Sequence, residues 1–411
     1  MYKLKLFFAS PQNKIWIIPT VGMCLSLFFV YLISYIDNNT NLPKLLNVNT
    51  QTLDSILSII ASSMLSVATF SLGIMVSAFS SASGGLTPRA TYLVMNDLST
   101  QKAISTFLGA FLFSVVAKIA LGQGIFSSSG VSLLFVFTIA LLFYIVIILI
   151  NWVRRLSTLG RQTDTSNRIF DVTSHEVKAF FAHQNLNTNH TPLTHKKYCF
   201  KFNSLGYINA INLTGLNAYC QSNELKIDLE VYHGYFIDCT TPIGYATKEL
   251  NVEDILKYFI ISDARVYEKD PSFGLLVFSE IAQRALSPAI NDPQTACYML
   301  TLIAKAFDES MHSLDTNNEI LFESIYIAPY DRSKFIVDVF GPIHRDGLGN
   351  IEVAIKIQQT LTMLSYHPDK ELSDLAQKYL HIYLENALNT LKLADDKERL
   401  MLISKKNLCK K

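Results

Sequence analysis

The sequence predicts an integral membrane protein with four transmembrane α-helices and a C-terminal cytoplasmic α+β domain. Half of its 411 residues are hydrophobic and 17% are charged, whereas soluble globular domains carry about 25% charged residues. The apolar residues form four runs before residue 153, each long enough for the roughly 20 residues that cross a bilayer. The rest of the chain has an ordinary soluble composition and is long enough to bury its own core.

The transmembrane domain, residues 1–152, contains the four predicted helices at about 15–36, 53–80, 103–121 and 131–152. The first run is longer than the apolar core of a signal peptide and lacks a small-residue cleavage site, so we expect a retained helix. Basic residues precede the first helix, lie between the second and third and follow the fourth: Lys3, Lys5, Lys14, Arg89, Lys102, Arg154, Arg155 and Arg161. The positive-inside rule therefore places both termini in the cytoplasm.

Small and hydroxyl-bearing residues recur at every third or fourth position of the second helix: Ser55, Ser58, Ser62, Ser66, Thr69, Gly73, Ser77 and Ser80. This spacing places them on one helix face, which we call the hydroxyl stripe. Such a face is typical of close packing, because small residues let helix backbones approach and hydroxyls can bond to the carbonyl one turn back. It also fits the wall of a permeation path formed by several copies of the helix.

Charged residues lie near both ends of the hydroxyl stripe: Asp54 at its start, and Arg89 and Asp97 beyond its end. They are either interfacial charges or charges at the mouths of a path, where Asp54 would attract cations and Arg89 would pair with Asp97. Lys118 lies inside the third apolar run, about one turn from its outer end. Its long stem can reach the interface, which we favour over a functional charge within the membrane.

The soluble part is predicted to begin with a connecting helix at 153–182, followed by an α+β domain at 183–411. Period-two alternation predicts short β segments within 200–247, and strands again at SIYIA and KFIVDVF within 324–340. Helices follow to the C terminus. The cysteines and histidines show no metal-ligand spacing, so we expect no metal site and no cofactor. With a net charge of +1 and no basic–aromatic run, nucleic acid is not an expected partner.

A predicted helix pair at 270–307 carries the clearest start signals of the soluble part. Asp270 before Pro271, and Asp292 before Pro293, each combine a capping carboxylate with a proline at a position that needs no amide donor. The predicted helix pair also contains Asn291, and Pro288 after its first helix. Glu280 and Arg284 are four residues apart on the first helix and can form an ion pair. Structural roles account for all of these residues. Alternatively, the two helix N-termini bind an anion or an acidic group of a partner.

Two segments of the chain resemble the DUF2254 family of bacterial predicted membrane proteins. One runs from the end of the second helix through TPRATYLVMNDLSTQKAISTFLGAFLFS, and the other, more specific, is DPSFGLLVFSEIAQRALSPAINDPQTA at 270–296. GYFIDCTTPIGYA is similar to a short glycine-bearing β segment of the family, with Cys239–Thr240–Thr241 where a glycine is expected. The resemblance implies the architecture and a bacterial cytoplasmic membrane, but no established activity.

From these patterns we expect a homo-oligomer in the lipid bilayer, with a channel or channel-like function. In this interpretation the helix at 53–80 lines the path, and the cytoplasmic domain acts as a gate or sensor. The alternative is a membrane-anchored scaffold or sensor whose cytoplasmic domain binds a protein partner. We do not expect an enzyme, because no nucleophile, base and pocket combine in the sequence.

Overall fold

The computed structural model forms two compact units, Met1–Thr165 and Ser166–Lys411. The residues that it describes are 11–39, 48–85, 87–90, 98–156, 162–182, 192–193, 198–312 and 322–408.

Four long helices make up the described part of the first unit: α1 (Pro11–Asn39), α2 (Thr50–Gly85), α3 (Leu98–Gly122) and α4 (Ser128–Leu156). All four are long and apolar enough to cross a membrane. The prediction of four membrane-length helices in the N-terminal part of the chain is therefore confirmed.

Helix α3 is the centre of this bundle and packs against each of the other three helices. Small residues meet where α3 contacts α1. A Cβ atom added to Gly22 would overlap Ser105 Oγ, and one added to Gly109 would lie 3.2 Å from the carbonyl oxygen of Gly22. Close approach of two membrane-length helices through such residues maximises van der Waals contact between them.

The second unit contains seven short strands among its described residues: β1 (Tyr198–Phe200), β2 (Gly206–Ile211), β3 (Ile227–Leu229), β4 (Phe236–Ile237), β5 (Gly244–Ala246), β6 (Phe259–Ser262) and β7 (Ile325–Ile327). They form a four-stranded sheet in the order β1-β5-β3-β7 and a three-stranded sheet in the order β4-β2-β6. All pairs are antiparallel except β3 with β7. One apolar core joins both sheets, with Phe200, Ile208, Ile237 and Ile325 among its members.

The second unit also contains nine helices among its described residues: α5 (Gln162–Ala182), α6 (Leu213–Ser222), α7 (Val252–Leu256), α8 (Phe273–Leu286), α9 (Pro293–Met311), α10 (Ser333–Asp346), α11 (Ile351–Leu364), α12 (Lys370–Thr390) and α13 (Ala394–Leu408). Helix α8 packs against α9 and α10, and α11 packs against α9, α12 and α13. The C-terminal region therefore combines helices with small sheets, as predicted.

The prediction of a strand at KFIVDVF is wrong, because these residues lie in α10. Phe335, Ile336, Val339 and Phe340 are all fully buried. Their spacing places them on one helix face, so burial of that face decides the structure over the β propensity of valine and isoleucine.

The turn after β4 closes without the glycine expected from the family pattern. Thr241 N donates to the carbonyl oxygen of Asp238 at 3.2 Å. The Asp238 carboxylate accepts hydrogen bonds from both threonine hydroxyls and from the amides of Thr240 and Thr241, each amide at 2.8 Å. These hydrogen bonds, that of the Thr240 hydroxyl first, lower the pKa of Asp238 to about 2. A carboxylate therefore holds this turn in place of a glycine.

Candidate functional site

Helix α2 presents two opposite faces. One face packs into the bundle through Leu53, Leu57, Ile60, Met64, Ala68, Ser71, Met75 and Ala78, all of which are buried. At about 100° per residue, the hydroxyl stripe lies on the other side of the helix, roughly 180° from the packed face. Within the stripe, Ser58 is half-buried and the other seven residues are exposed. The stripe therefore faces away from the other described helices of its own chain.

There is open space beside Gly73, the glycine of the stripe: a Cβ atom added there would meet nothing within 4 Å in the described part of the chain. Small residues that permit close packing lie instead where α1 crosses α3, at Gly22, Ser105 and Gly109. Ser58 is the exception to the exposure of the stripe, because its hydroxyl lies 2.5 Å from Lys118 Nζ on α3.

Five hydroxyl groups of the stripe, those of Ser55, Ser58, Ser62, Ser66 and Thr69, donate to carbonyl oxygens of their own helix. Ser62 Oγ donates to the carbonyl oxygen of Ser58, and Ser66 Oγ to that of Ser62, each at 3.0 Å. Ser55 and Thr69 donate in the same way to the carbonyl four residues earlier, each at 2.9 Å. The donors are therefore satisfied, while each hydroxyl oxygen keeps lone pairs that face outward.

An ion pair lies beside the first turns of the stripe. Lys118 Nζ is 3.2 Å from Asp54 Oδ2 and 2.5 Å from Ser58 Oγ. The two charged side chains are 45% and 43% exposed, and exposed pairs of this kind stabilise a fold by about 0–1 kcal/mol. Sequence spacing did not reveal this pair: Asp54 lies near the start of α2 and Lys118 near the end of α3, the two ends that were predicted on the outer side. The structure thus provides Lys118 with a specific partner.

Of the two charges predicted to pair at the other end of the stripe, Arg89 and Asp97, only Arg89 belongs to the described residues. Arg89 is exposed, and Asp97 lies outside the described residues. Their pairing stays a prediction.

In the second unit, the predicted helix pair is joined by a short turn between α8 and α9. Asp292 caps α9, because its carboxylate accepts from Thr295 N at 3.0 Å and from Thr295 Oγ1 at 2.7 Å. These hydrogen bonds lower the pKa of Asp292. Asn291 adopts φ +49°, a left-handed conformation that asparagine tolerates better than most residues. Pro288 is exposed, as is Asn291.

Glu280 and Arg284 are both partly buried on α8. Their mutual ion pair stays a prediction.

Asp270 has a larger role than capping. Its Oδ1 accepts from the amides of Ser272 and Phe273 at 3.2 and 3.1 Å, at the start of α8. It also receives the Arg265 guanidinium through two nitrogens, with distances of 2.6 to 2.8 Å. The Asp270 side chain is only 2% exposed and that of Arg265 19%. The carboxylate therefore belongs to a buried ion pair that sequence spacing did not reveal.

A backbone turn closes over this ion pair. Gly234 has φ +81°, and a Cβ atom there would overlap the Asp270 carboxylate. Ser272 Oγ accepts from Arg265 at 2.9 Å and donates to Asp270 Oδ1 at 3.1 Å. Burial raises the pKa of Asp270, an effect that the Arg265 charge opposes. Burial also raises the pKa of Tyr330. We call Gly234, Arg265, Asp270, Ser272 and Tyr330 the Asp270 cluster.

The chemistry of the Asp270 cluster is that of a structural junction. The guanidinium and carboxylate satisfy each other, and the hydroxyl of Ser272 is hydrogen-bonded to both. Among the described residues, no group of three or more His, Cys, Asp or Glu side chains could hold a metal ion. The cluster joins the β3–β4 loop to the start of α8, so it fits the structural interpretation of the helix pair better than anion binding.

Comparison with known proteins gives a single match. A family model described as "Predicted membrane protein (DUF2254)" matches residues 12–363. No curated protein and no solved structure matches the chain. The matched segment includes the hydroxyl stripe, the ion pair of Asp54 and Lys118, and the Asp270 cluster.

Proposed function

The chain belongs to the DUF2254 family of predicted membrane proteins, and from this premise we propose that it is an oligomeric channel-like protein of the bacterial inner membrane. In this proposal several copies place α2 nearest the axis, so that their hydroxyl stripes line a path. The second unit lies in the cytoplasm and acts as the gate or sensor, consistent with the basic residues that flank the predicted cytoplasmic ends of the helices.

The observation that carries this proposal is the outward direction of the hydroxyl stripe. From Ser55 to Ser80 the stripe extends for about 37 Å, enough to cross the hydrocarbon core. Its flanks carry large exposed apolar side chains such as Ile59, Phe70 and Val76. Those flanks suit lipid or neighbouring subunits, whereas a row of hydroxyl oxygens suits water.

The charge of the proposed mouth determines the expected selectivity. Lys118 compensates Asp54 at 3.2 Å, so this pair contributes no net charge. The stripe itself consists of hydroxyl-bearing and glycine residues only. We therefore expect weak discrimination between small cations and anions.

Reactivity of introduced cysteines tests the channel proposal. In a cysteine-free background, Ser62→Cys, Ser66→Cys and Thr69→Cys should react with a small membrane-impermeant thiol reagent. Phe143→Cys and Ile147→Cys are the matched controls, because both positions are also exposed, on α4, at 66% and 57%. Both controls should stay unreactive in lipid. Protection of the stripe positions equal to that of the controls contradicts the proposal.

A second candidate, a membrane-anchored scaffold or sensor, is favoured by the hydroxyl hydrogen bonds. Because the donors of Ser62, Ser66 and Thr69 are satisfied within α2, the stripe can also pack dry against a second copy. In that case Ser66→Cys should form a disulfide between copies under mild oxidation yet resist the impermeant reagent. The combination of the two results distinguishes a dry interface from a wet path.

A further inference from the structure

A groove opens between α1 and α4, with α3 as its floor. Its volume is about 470 Å³, within the roughly 300–1,000 Å³ of typical small-molecule sites. None of its lining residues is charged. Since all three helices are membrane-length, the groove faces the lipid phase if these helices cross a bilayer.

Aromatic rings line one end of the groove. The rings of Phe29 and Phe137 lie 5.1 Å apart, and those of Phe113 and Phe137 lie 5.3 Å apart. From this end the groove continues past Ala140 to Tyr144 on α4, about 10 Å along the helix axis. Its shape is a slot that is lined by aromatic rings near the middle of the bundle and continues toward the end where α3 begins.

Two hydroxyl groups in the walls of the slot donate within their own helices. Ser26 Oγ donates to the carbonyl oxygen of Met23 at 2.7 Å, and Thr106 Oγ1 donates to that of Lys102 at 2.9 Å. With these donors satisfied, the wall suits a hydrocarbon chain better than a polar ligand.

The end toward which the slot continues is positively charged. Lys102 is exposed and lies one helical turn before Thr106, on the face of α3 that forms the floor. The N-terminus of α3 is at the same end and adds the positive end of its helix dipole. An apolar slot that ends at a lysine and a helix N-terminus complements a lipid with an anionic headgroup.

We propose that the groove between α1, α3 and α4 binds one anionic phospholipid, with an acyl chain in the slot and its phosphate at Lys102. This site is independent of any path along the hydroxyl stripe, because the stripe lies on α2, which does not line the groove.

The test uses the delipidated full-length chain in detergent. Phosphatidylglycerol and phosphatidylcholine with identical acyl chains are titrated separately, and bound lipids are counted by native mass spectrometry. We expect the first phosphatidylglycerol to bind more tightly than phosphatidylcholine. The expected preference is about fivefold, the effect of one lysine near an anionic surface. Lys102→Gln should remove this preference without weakening the binding of phosphatidylcholine.

A groove-filling variant tests the position of the acyl chain. Ala140 is exposed and lines the slot, so Ala140→Phe should abolish the binding of the first lipid of either kind. Val146→Phe is the matched control, because Val146 is 46% exposed and lies about 170° around α4 from the slot. Equal binding of both lipids to the unmodified chain, or unchanged binding to Ala140→Phe, overturns the proposal. The proposal is also overturned if the unmodified chain forms dimers without bound lipid and Ala140→Phe dissociates them. A second copy would then fill the groove.

Discussion

Removal of the Asp270 charge is expected to loosen the junction between the β3–β4 loop and α8. Asp270→Asn keeps the size of the side chain and one oxygen that can accept from the amides of Ser272 and Phe273. It removes the counter-charge of Arg265, whose side chain is 19% exposed. Breaking one partner of a buried ion pair costs about 3–5 kcal/mol, because the other charge is left uncompensated.

Amide hydrogen exchange of the full-length chain in detergent measures this cost locally. At about 1.4 kcal/mol per factor of ten, exchange of the amides at the start of α8 and in the loop around Gly234 should accelerate roughly 100- to 4,000-fold. Asp292→Asn is the matched control. It makes the same substitution at a partly exposed cap, and asparagine caps helices about as well as aspartate.

The double variant Arg265→Leu with Asp270→Asn separates charge from shape. It removes both charges, so exchange should return toward that of the unmodified chain. If Asp270→Asn exchanges within a factor of about five of Asp292→Asn, the buried pair contributes little and the inference from its burial is wrong.

Three further changes have expected outcomes. Burial lowers the pKa of His233 and of His344 to about 4. Both values lie below the unfolded value of about 6.5. The stability that each neutral histidine contributes is therefore fully present above about pH 6.5 and is lost as the pH falls toward 4. Each histidine should cost about 2 kcal/mol at pH 5, seen as faster amide exchange that His344→Gln reduces. In Gly274→Ala the new Cβ would overlap Thr173 Oγ1 and lie 2.8 Å from Thr173 Cβ, so thermal scanning should show a destabilisation of about 1–3 kcal/mol. Lys118→Met breaks only an exposed pair, and the same scan should change by less than about 1 kcal/mol.

The parts of the fold that could be predicted are those that depend on local patterns. The membrane-length helices follow from apolar runs, and the start of α9 follows from Asp292 and Pro293, which act within one turn. The strand predicted at 334–340 failed because a tertiary contact, the burial of Phe335 and Phe340 on one face, overrides β propensity.

The parts that could not be predicted are pairs that only the tertiary structure brings together. Asp54 and Lys118 are 64 residues apart, and no local rule relates them. Arg265 and Asp270 are close in sequence but lie in a loop, where no helix or strand periodicity predicts which way the side chains point. The glycine that closes over them, Gly234, comes from another loop. The hydroxyl stripe was visible in the sequence, but its direction depends on which other face of α2 packs into the bundle.

The two sets of small residues in the membrane-length helices constrain how the chain assembles. Gly22, Ser105 and Gly109 are used where α1 crosses α3, and this contact is complete within one chain. The hydroxyl stripe is exposed in the described part of the chain except at Ser58, which is hydrogen-bonded to Lys118, so lipid, water and another copy are the candidates for what it meets. Lipid is the least favourable of the three, because a face of serine and glycine offers acyl chains less contact area than leucine or phenylalanine. Both proposed arrangements, a dry interface and a wet path, bring copies together through α2, and the reactivity of Ser66→Cys decides between them.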